Sequence, residues 1–306
     1  MQIKGVDLFA GGGGTTTGAK QGGVQIIWAA NHKQAAVDTH ALNHPEVFHA
    51  CQDLHQADFS LIDEHDILYA SPACSGHANA AGDKKKTKKA DLARSTAWAV
   101  TSCAEAQKTP VVIVENVCEI LQWQLYPAWE YAMKSLGYSL SVNFINASDL
   151  GIPQNRPRVF IIGTRSKHPI KLNIERVEHV SARTIIDLNE DGHKWDLVKN
   201  RVPATQNRVA NGRKQFGKIF IDSAYGSAVS GRSIDKPLGA LTTVNKHSLV
   251  IGDKIRSLTI PELAAAASFS KDYIWPKSKT LTKEFLGNAV PPLMAQRVTE
   301  AVIQMA

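Results

Sequence analysis

Short apolar runs alternate with amphipathic or polar segments along the first 165 residues. The apolar runs predict strands at 3–9, 24–30, 67–70, 111–114, 140–146 and 159–162, with a further short strand ending at 52–54. The segments between them predict helices at 15–20, 33–43, 95–107 and 126–136. Strands and helices that alternate in this way favour a Rossmann-like, doubly wound α/β fold with a mostly parallel sheet.

The pattern changes after residue 164. Residues 164–232 lack clear alternation and hold thirteen Lys and Arg against seven Asp and Glu. The final segment predicts a short strand within 237–243, a helix at 260–267, a loop at 285–292 and a closing helix. That helix has an apolar stripe of Met294, Val298, Ala301, Val302 and Met305. We therefore expect one domain from 1–165 and 235–306, with the last helix packed back on it, and a small, irregular, basic subdomain at 166–234.

Composition narrows the function classes. Hydrophobic residues make up 43% of the 306 residues, as in a globular protein, and the net charge of +7 favours an anionic partner. The chain shows neither a leader peptide nor an apolar run long enough for a membrane span, so we expect a cytoplasmic protein. The four cysteines form no CxxC pair, and we expect no metal site.

Polar residues at predicted strand ends are the candidates for chemistry. Asp7 lies near the end of the first strand, before the glycine turn 11–14, and Cys74 follows the strand at 67–70 closely. Glu115 follows the strand at 111–114. Ligands of open α/β sheets bind at the carboxyl ends of the strands, and a thiolate there can act as a nucleophile. A lone cysteine is also compatible with a small buried side chain.

Other candidates would contact ligands. His32 follows the second strand, where dinucleotide folds often place a ribose-binding acid, and Asp53 lies at the tip of the short third strand. Arg156 and Arg158 alternate with Gln154 along one predicted strand face, which suits a phosphate or a base edge. A mobile phosphate-binding loop or an ordinary solvated surface would explain the basic cluster formed by Lys84, Lys85, Lys86, Lys88, Lys89 and Arg94.

Five motifs in order resemble the cytosine-C5 DNA methyltransferase family. DLFAGGGG (7–14) is similar to its S-adenosylmethionine signature and SPACSG (71–76) to its catalytic cysteine loop. ENV (115–117) and QNRPR (154–158) resemble its catalytic glutamate and arginine motifs, and GNAVPP (287–292) its late cofactor motif. The resemblance covers 1–165 and 235–306 and implies a class I methyltransferase fold, with target recognition assigned to 166–234.

The resemblance implies a mechanism. The Cys74 thiolate would add to C6 of a cytosine turned out of double-stranded DNA, Glu115 would hydrogen-bond the ring, and Arg158 with Arg156 would hold O2 or a phosphate. The methyl group would come from S-adenosyl-L-methionine, leaving S-adenosyl-L-homocysteine. The implied cofactor-binding residues are Asp7, Phe9, Gly11, Gly13, His32, Asp53, Pro72, Asn288 and Val290.

Partners and alternatives follow from the same resemblance. It implies a monomer in a bacterial cell or phage-infected host, in a restriction-modification setting that allows a cognate endonuclease. A tRNA cytosine-C5 methyltransferase of the same family and a catalytically weak DNA-binding homologue are the alternatives. An oxidoreductase that binds NAD is disfavoured, because the glycine turn lacks the GxGxxG spacing.

Overall fold

A seven-stranded sheet organises the larger part of the computed structural model, which describes residues 2–73, 94–226 and 228–305. Its strands are β1 (Lys4–Leu8), β2 (Gln25–Asn31), β3 (Phe48–Cys51), β4 (Ile67–Ala70), β5 (Val111–Asn116), β6 (Ser139–Asn146) and β8 (Pro157–Thr164). The two-residue strand β7 (Gln154–Asn155) belongs to another sheet. The strand order is β3-β2-β1-β4-β5-β8-β6; β8 pairs antiparallel with β5 and β6, and the other neighbouring strands pair in parallel. The predicted mostly parallel α/β sheet is confirmed.

Helices connect these strands: α1 (Gly14–Gln21), α2 (Gln34–Asn43), α3 (Ala97–Gln107) and α4 (Tyr126–Ser135). Every residue of β4 and β5 is buried, which explains why both appear in the sequence as continuous apolar runs. Trp129 of α4 lies in the core and donates a hydrogen bond from its indole nitrogen to the carbonyl oxygen of Ala97. The indole N–H is thereby satisfied where water cannot reach it.

Two compact units divide the chain. The first consists of residues 1–146, 157–176 and 289–306, and the second of residues 147–156 and 177–288. The functional division between a catalytic domain and a recognition subdomain at 166–234 stays a prediction.

The second unit is more regular than its sequence suggests. It contains α5 (Pro203–Phe216), α6 (Ile260–Ala266) and α7 (Lys279–Asn288), together with β9 (Asp196–Leu197), β10 (Ile219–Ser223), β11 (Leu238–Gly239), β12 (His247–Ile251) and β13 (Lys254–Ser257). Strands β10, β12, β13 and β9 form an antiparallel sheet in that order. Its small core consists of Val198, Val209, Phe220, Val250 and Ile255.

Two local predictions were wrong. Residues 285–288 end helix α7 instead of forming a loop, because Phe285 and Leu286 are buried side chains of that helix. Gln154, Arg156 and Arg158 do not share one strand face, since β7 ends at Asn155 and β8 begins at Pro157. Gln154 and Arg156 belong to the second unit and Arg158 to the first.

The chain closes with α8 (Pro292–Met305), which packs against α1 in the first unit. Four of the five predicted stripe residues are buried, whereas Met305 is exposed. Within the described ranges, no helix has the length and apolar character that crossing a bilayer requires.

Gly18 permits the close approach of α1 to α8. A Cβ atom at this position would lie 2.2 Å from the carbonyl oxygen of Pro292 and 2.7 Å from the backbone nitrogen of Gln296. Gly18→Ala is therefore expected to lower the free energy of unfolding by about 2–4 kcal/mol, because backbone atoms must move apart. Urea unfolding measures this, with exposed Gln21→Ala on the same helix as the control. Equal stability of the two variants would contradict the packing described.

Candidate active site

The glycine turn after β1 has an unusual backbone. Phe9, Gly11 and Gly13 have φ angles of 63°, 53° and 91°, in the left-handed region. Glycine adopts this region without strain, whereas the phenylalanine is strained, as residues at functional sites often are. Gly13 then begins helix α1 as its N-cap. The turn therefore places backbone atoms and a short helix N-terminus at the carboxyl end of β1.

Asp7 of β1 is completely buried below this turn. The hydroxyl group of Thr16 donates a hydrogen bond of 2.8 Å to its Oδ2 atom, while its Oδ1 atom has no hydrogen-bond partner among the described residues. Burial raises the pKa of Asp7 to about 7, and the hydrogen bond from Thr16 opposes this shift. Asp7 therefore changes its charge near neutral pH.

The raised pKa of Asp7 makes stability depend on pH. Its stabilising contribution is complete below the unfolded pKa near 3.8 and is lost as the pH rises through about 7. Relative to Asp7→Asn, the wild-type free energy of unfolding should fall by about 3 kcal/mol between about pH 4 and pH 8. Thermal or urea unfolding at several pH values measures this, with exposed Asp63→Asn as the control. A constant difference between wild type and Asp7→Asn would contradict the buried, titrating carboxyl group.

Residues 71–73 leave β4 beside β1 and β5. The backbone nitrogen of Ser71 donates to the carbonyl oxygen of Leu8, and that of Ala73 donates to the hydroxyl of Thr96. The side chain of Asn116 donates a hydrogen bond of 2.9 Å to the carbonyl oxygen of Pro72. These bonds fix the backbone that leads to Cys74. Cys74 itself lies outside the described residues, as do Lys84, Lys85, Lys86, Lys88 and Lys89.

Glu115 and Arg158 form an ion pair in the first unit. The Nε atom of Arg158 lies 3.0 Å from the Oε1 atom of Glu115, and the two side chains are 12% and 11% exposed. Adjacent strands β5 and β8 hold them, with Glu115 opposite Phe160. The pair is thus mostly removed from water, and each side chain orients the other. A carboxyl group held in this way can make directed hydrogen bonds to a ligand.

A small pocket lies beside Glu115. It is lined by Thr15, Tyr69, Ala70, Ser71, Ile113, Glu115, Phe160, Val290, Ala295 and Val298. The lining therefore combines the start of α1, the ends of β4 and β5, and the last helix of the chain. A mostly apolar wall with a few polar groups is typical of a small-molecule site.

The other predicted site residues belong to both units. His32, Asp53 and the half-buried Arg94 belong to the first unit, and His32 and Asp53 are exposed. Asn288 is exposed at the end of α7 in the second unit. Val290, by contrast, is buried and lines the pocket of the first unit.

Arg156 is buried against backbone carbonyl groups. It is 2% exposed, and its terminal nitrogens donate to the carbonyl oxygens of Leu241 and Gly287 at 3.1 and 2.9 Å. These three residues all lie in the second unit. Its guanidinium group thereby joins three segments that are distant in sequence, and its catalytic role stays a prediction.

Some lining residues were not predicted. Thr15 and Ser71 have polar side chains at the pocket, and Phe160 lies in its wall. The signals in the sequence are that Thr15 directly follows the motif at 7–14 and that Ser71 is the first residue of the motif at 71–76. Phe160 is one apolar residue within an apolar strand, so no sequence pattern distinguishes it from the core.

Comparisons with known proteins show a family similarity over nearly the whole chain. A family model described as C-5 cytosine-specific DNA methylase matches residues 3–304. Type II methyltransferase M.HgiDI of Herpetosiphon aurantiacus is 28% identical over 300 residues, covering 96% of this chain and 92% of its own. Type II methyltransferase M1.HphI of Haemophilus parahaemolyticus is 24% identical over 330 residues, and the match covers 100% of this chain and 88% of that protein.

Solved structures share the fold. The S. pombe Dnmt2 methyltransferase has a TM-score of 0.71 at 15% identity and covers 100% of this chain and 99% of its own. The Entamoeba histolytica methyltransferase EhMeth gives the same TM-score, identity and coverage. These two structures support the α/β architecture.

Proposed function

Because the chain belongs to the C-5 cytosine-specific DNA methylase family, we propose that it methylates C5 of cytosine in DNA through a covalent bond between Cys74 and C6. The observation that carries this proposal is the Glu115–Arg158 pair beside the pocket, whose lining includes Ala70 and Ser71 at the end of β4, from which the chain continues to Cys74. The predicted family and enzyme class are confirmed by the family match and by the type II methyltransferases among its relatives.

The residues around the pocket fit S-adenosyl-L-methionine. The left-handed glycine turn lets a ligand approach the backbone, and the buried Oδ1 atom of Asp7 has no hydrogen-bond partner among the described residues. When bound, S-adenosyl-L-methionine supplies an electrophilic methyl group. We assign the binding of this cofactor to Asp7, Phe9, Gly11, Gly13, Pro72 and Val290. His32 and Asp53 would contact its ribose and adenine. Asn288 stays a predicted cofactor contact.

The protein's own groups would activate the base. The thiolate of Cys74 forms a bond to C6, which raises the electron density at C5 so that C5 can accept a methyl group. Glu115 hydrogen-bonds N3 and the 4-amino group, and Arg158 holds Glu115 in place and contacts O2 or a phosphate. A base then removes the proton from C5, and the thiolate leaves C6. We give Arg156 a positioning role in the second unit.

Double-stranded DNA is the proposed substrate, and the target cytosine must leave the helix. Unstacking a base costs a few kcal/mol, which phosphate contacts can offset. We assign these contacts to Lys84, Lys85, Lys86, Lys88, Lys89 and Arg94 and to the basic segment 166–234. We further propose a cytoplasmic monomer that acts in restriction and modification, with a cognate endonuclease as a partner to be sought.

Neutralising three lysines should weaken the dependence of DNA binding on salt. For Lys84→Gln, Lys86→Gln and Lys88→Gln together, the slope of log K against log salt should become less negative by about 2–3. Fluorescence anisotropy with a DNA duplex measures this slope, with exposed Lys271→Gln, Lys277→Gln and Lys279→Gln as the matched control. An unchanged slope would show that the lysine cluster is an ordinary solvated surface that does not contact DNA.

A methyl-transfer assay tests the function. The purified protein is incubated with S-adenosylmethionine labelled in the methyl group and with either genomic DNA or a tRNA mixture. Label in 5-methylcytosine of DNA supports the proposal, whereas label in tRNA alone supports the predicted alternative. No label in either, with DNA binding retained, would identify a binding homologue. Bisulfite sequencing of DNA from expressing cells would then give the target sequence.

A further inference from the structure

Asp7 belongs to a row of residues that crosses four strands of the sheet. Strand pairing places Tyr69, Asp7, Ala29 and His49 opposite one another on β4, β1, β2 and β3. Directly paired residues project to the same face of a sheet, and Tyr69 lines the pocket beside Glu115. Ala29 is small, so the face above it has room for side chains from α1 and α2.

Thr16 of α1 and His40 of α2 connect Asp7 to His49 on this face. The Nε2 atom of His40 lies 3.0 Å from the hydroxyl oxygen of Thr16, and its Nδ1 atom lies 2.8 Å from Nε2 of His49. Asp7, Thr16 and His40 are at most 1% exposed, whereas His49 is half-buried. Together with the 2.8 Å bond from Thr16 to Asp7, these contacts form one continuous chain of hydrogen bonds.

When Asp7 is ionised, the direction of donation along this chain is determined. Because the single hydroxyl proton of Thr16 goes to Asp7, its oxygen must accept the Nε2 proton of His40. Burial lowers the pKa of His40 to about 2, so its ring is neutral and its Nδ1 atom must accept from His49. All three bonds thus donate toward the carboxylate of Asp7, which stabilises its charged form against burial.

We propose that Thr16, His40 and His49 are positioning residues that set the charge of Asp7, and that this charge makes the site bind S-adenosylmethionine in preference to S-adenosylhomocysteine as the pH rises. The inference rests on the proposed function. S-adenosylmethionine carries a positive charge at sulfur that S-adenosylhomocysteine lacks. An ionised carboxylate next to pocket residue Tyr69 attracts that extra charge, whereas a protonated one does not.

Further titratable groups lie on the elements around Asp7. Helix α1 contributes Lys20, α2 contributes His44, and the α2–β3 connection contributes Glu46, which pairs with Lys20. Burial lowers the pKa of His44 to about 4, so it is neutral over the relevant range. Helix α8 contributes Thr299, whose hydroxyl lies 3.0 Å from that of Tyr69. Tyr69 is uncharged because burial raises its pKa well above its usual value.

Calorimetric titration of the whole protein with each of the two compounds, from pH 5.5 to 8.5, tests the proposal. The ratio of the two affinities should rise with pH by about threefold to tenfold, as expected for a partly screened charge pair. In Asp7→Asn the ratio should stay constant. In Thr16→Val, which removes the donor to Asp7, the rise should move to higher pH, and Thr16→Ser should restore it. A ratio that is independent of pH in the wild type, or that rises equally in Asp7→Asn, would overturn the proposal.

NMR tests the hydrogen-bond chain without any ligand. Nitrogen-15 spectra should show His40 neutral with its proton on Nε2, and carbon-13 spectra should show Asp7 titrating near neutral pH, at a higher pH in Thr16→Val. The control is His65→Gln, because the buried His65 contacts Thr109 and is not part of this chain of hydrogen bonds. Its signals for His40 and Asp7 should match those of the wild type. A proton on Nδ1 of His40 would overturn the chain. Failure to bind either compound, with these NMR results intact, would overturn the proposed function and the cofactor preference and leave the chain standing.

Discussion

Cys74→Ala is expected to abolish methyl transfer while cofactor binding stays nearly unchanged. C5 of cytosine is a weak nucleophile, and a bond from the thiolate to C6 is what activates it in the proposed mechanism. Losing this step should reduce the rate by more than about a thousandfold, which corresponds to over about 4 kcal/mol of the barrier. Incorporation of labelled methyl groups into DNA measures the rate, and calorimetry measures the affinity for S-adenosylhomocysteine.

The matched control for this variant is Cys51→Ala. Cys51 is exposed at the end of β3, and we expect its replacement to leave the rate unchanged. Retained turnover in Cys74→Ala would remove this thiol from the mechanism. Loss of both turnover and cofactor binding would instead indicate a structural role for Cys74, which also contradicts the proposal.

Glu115→Gln is expected to lower the rate of methyl transfer by about a hundredfold to ten-thousandfold, the range typical of a lost general acid or base. Glutamine can still accept a hydrogen bond from Arg158, so the fold should be preserved. It can neither carry a negative charge nor donate a carboxyl proton to the ring nitrogen. Single-turnover kinetics on a DNA duplex separates this chemical effect from DNA binding.

Glu105→Gln is the control for this variant, because Glu105 is exposed on α3. Its rate should match that of the wild type. A wild-type rate in Glu115→Gln would show that the Glu115–Arg158 pair only supports the fold. A lower rate accompanied by a lower unfolding temperature would lead to the same conclusion.

Much of the first unit could be predicted from sequence because its central strands β4 and β5 are buried on both faces. The segments 67–70 and 111–114 are continuous apolar runs, and the structure has strands at Ile67–Ala70 and Val111–Asn116. The glycine turn after the first strand and the positions of the polar residues at strand ends then identified Asp7 and Glu115 as site candidates. The family and the fold class predicted from the motifs are confirmed.

The second unit could not be predicted in the same way. Its small sheet is antiparallel, and β10 pairs with β12 and β9 with β13 across long stretches of sequence, so no local period shows these pairings. Arg156 illustrates the same limit, because its two acceptors are 85 and 131 residues away in the chain. Such contacts depend on tertiary packing, which a residue pattern alone does not specify.

A DNA duplex carrying 5-fluorocytosine at the target position tests the central claim most directly. Fluorine at C5 cannot leave as a proton does, so the proposed mechanism stops with Cys74 bound to C6. Mass spectrometry of the digested complex, formed with S-adenosylmethionine, should identify a methylated fluorocytosine attached to the peptide that contains Cys74. An enzyme that methylates ordinary DNA but forms no adduct, or forms one at another residue, would contradict the account.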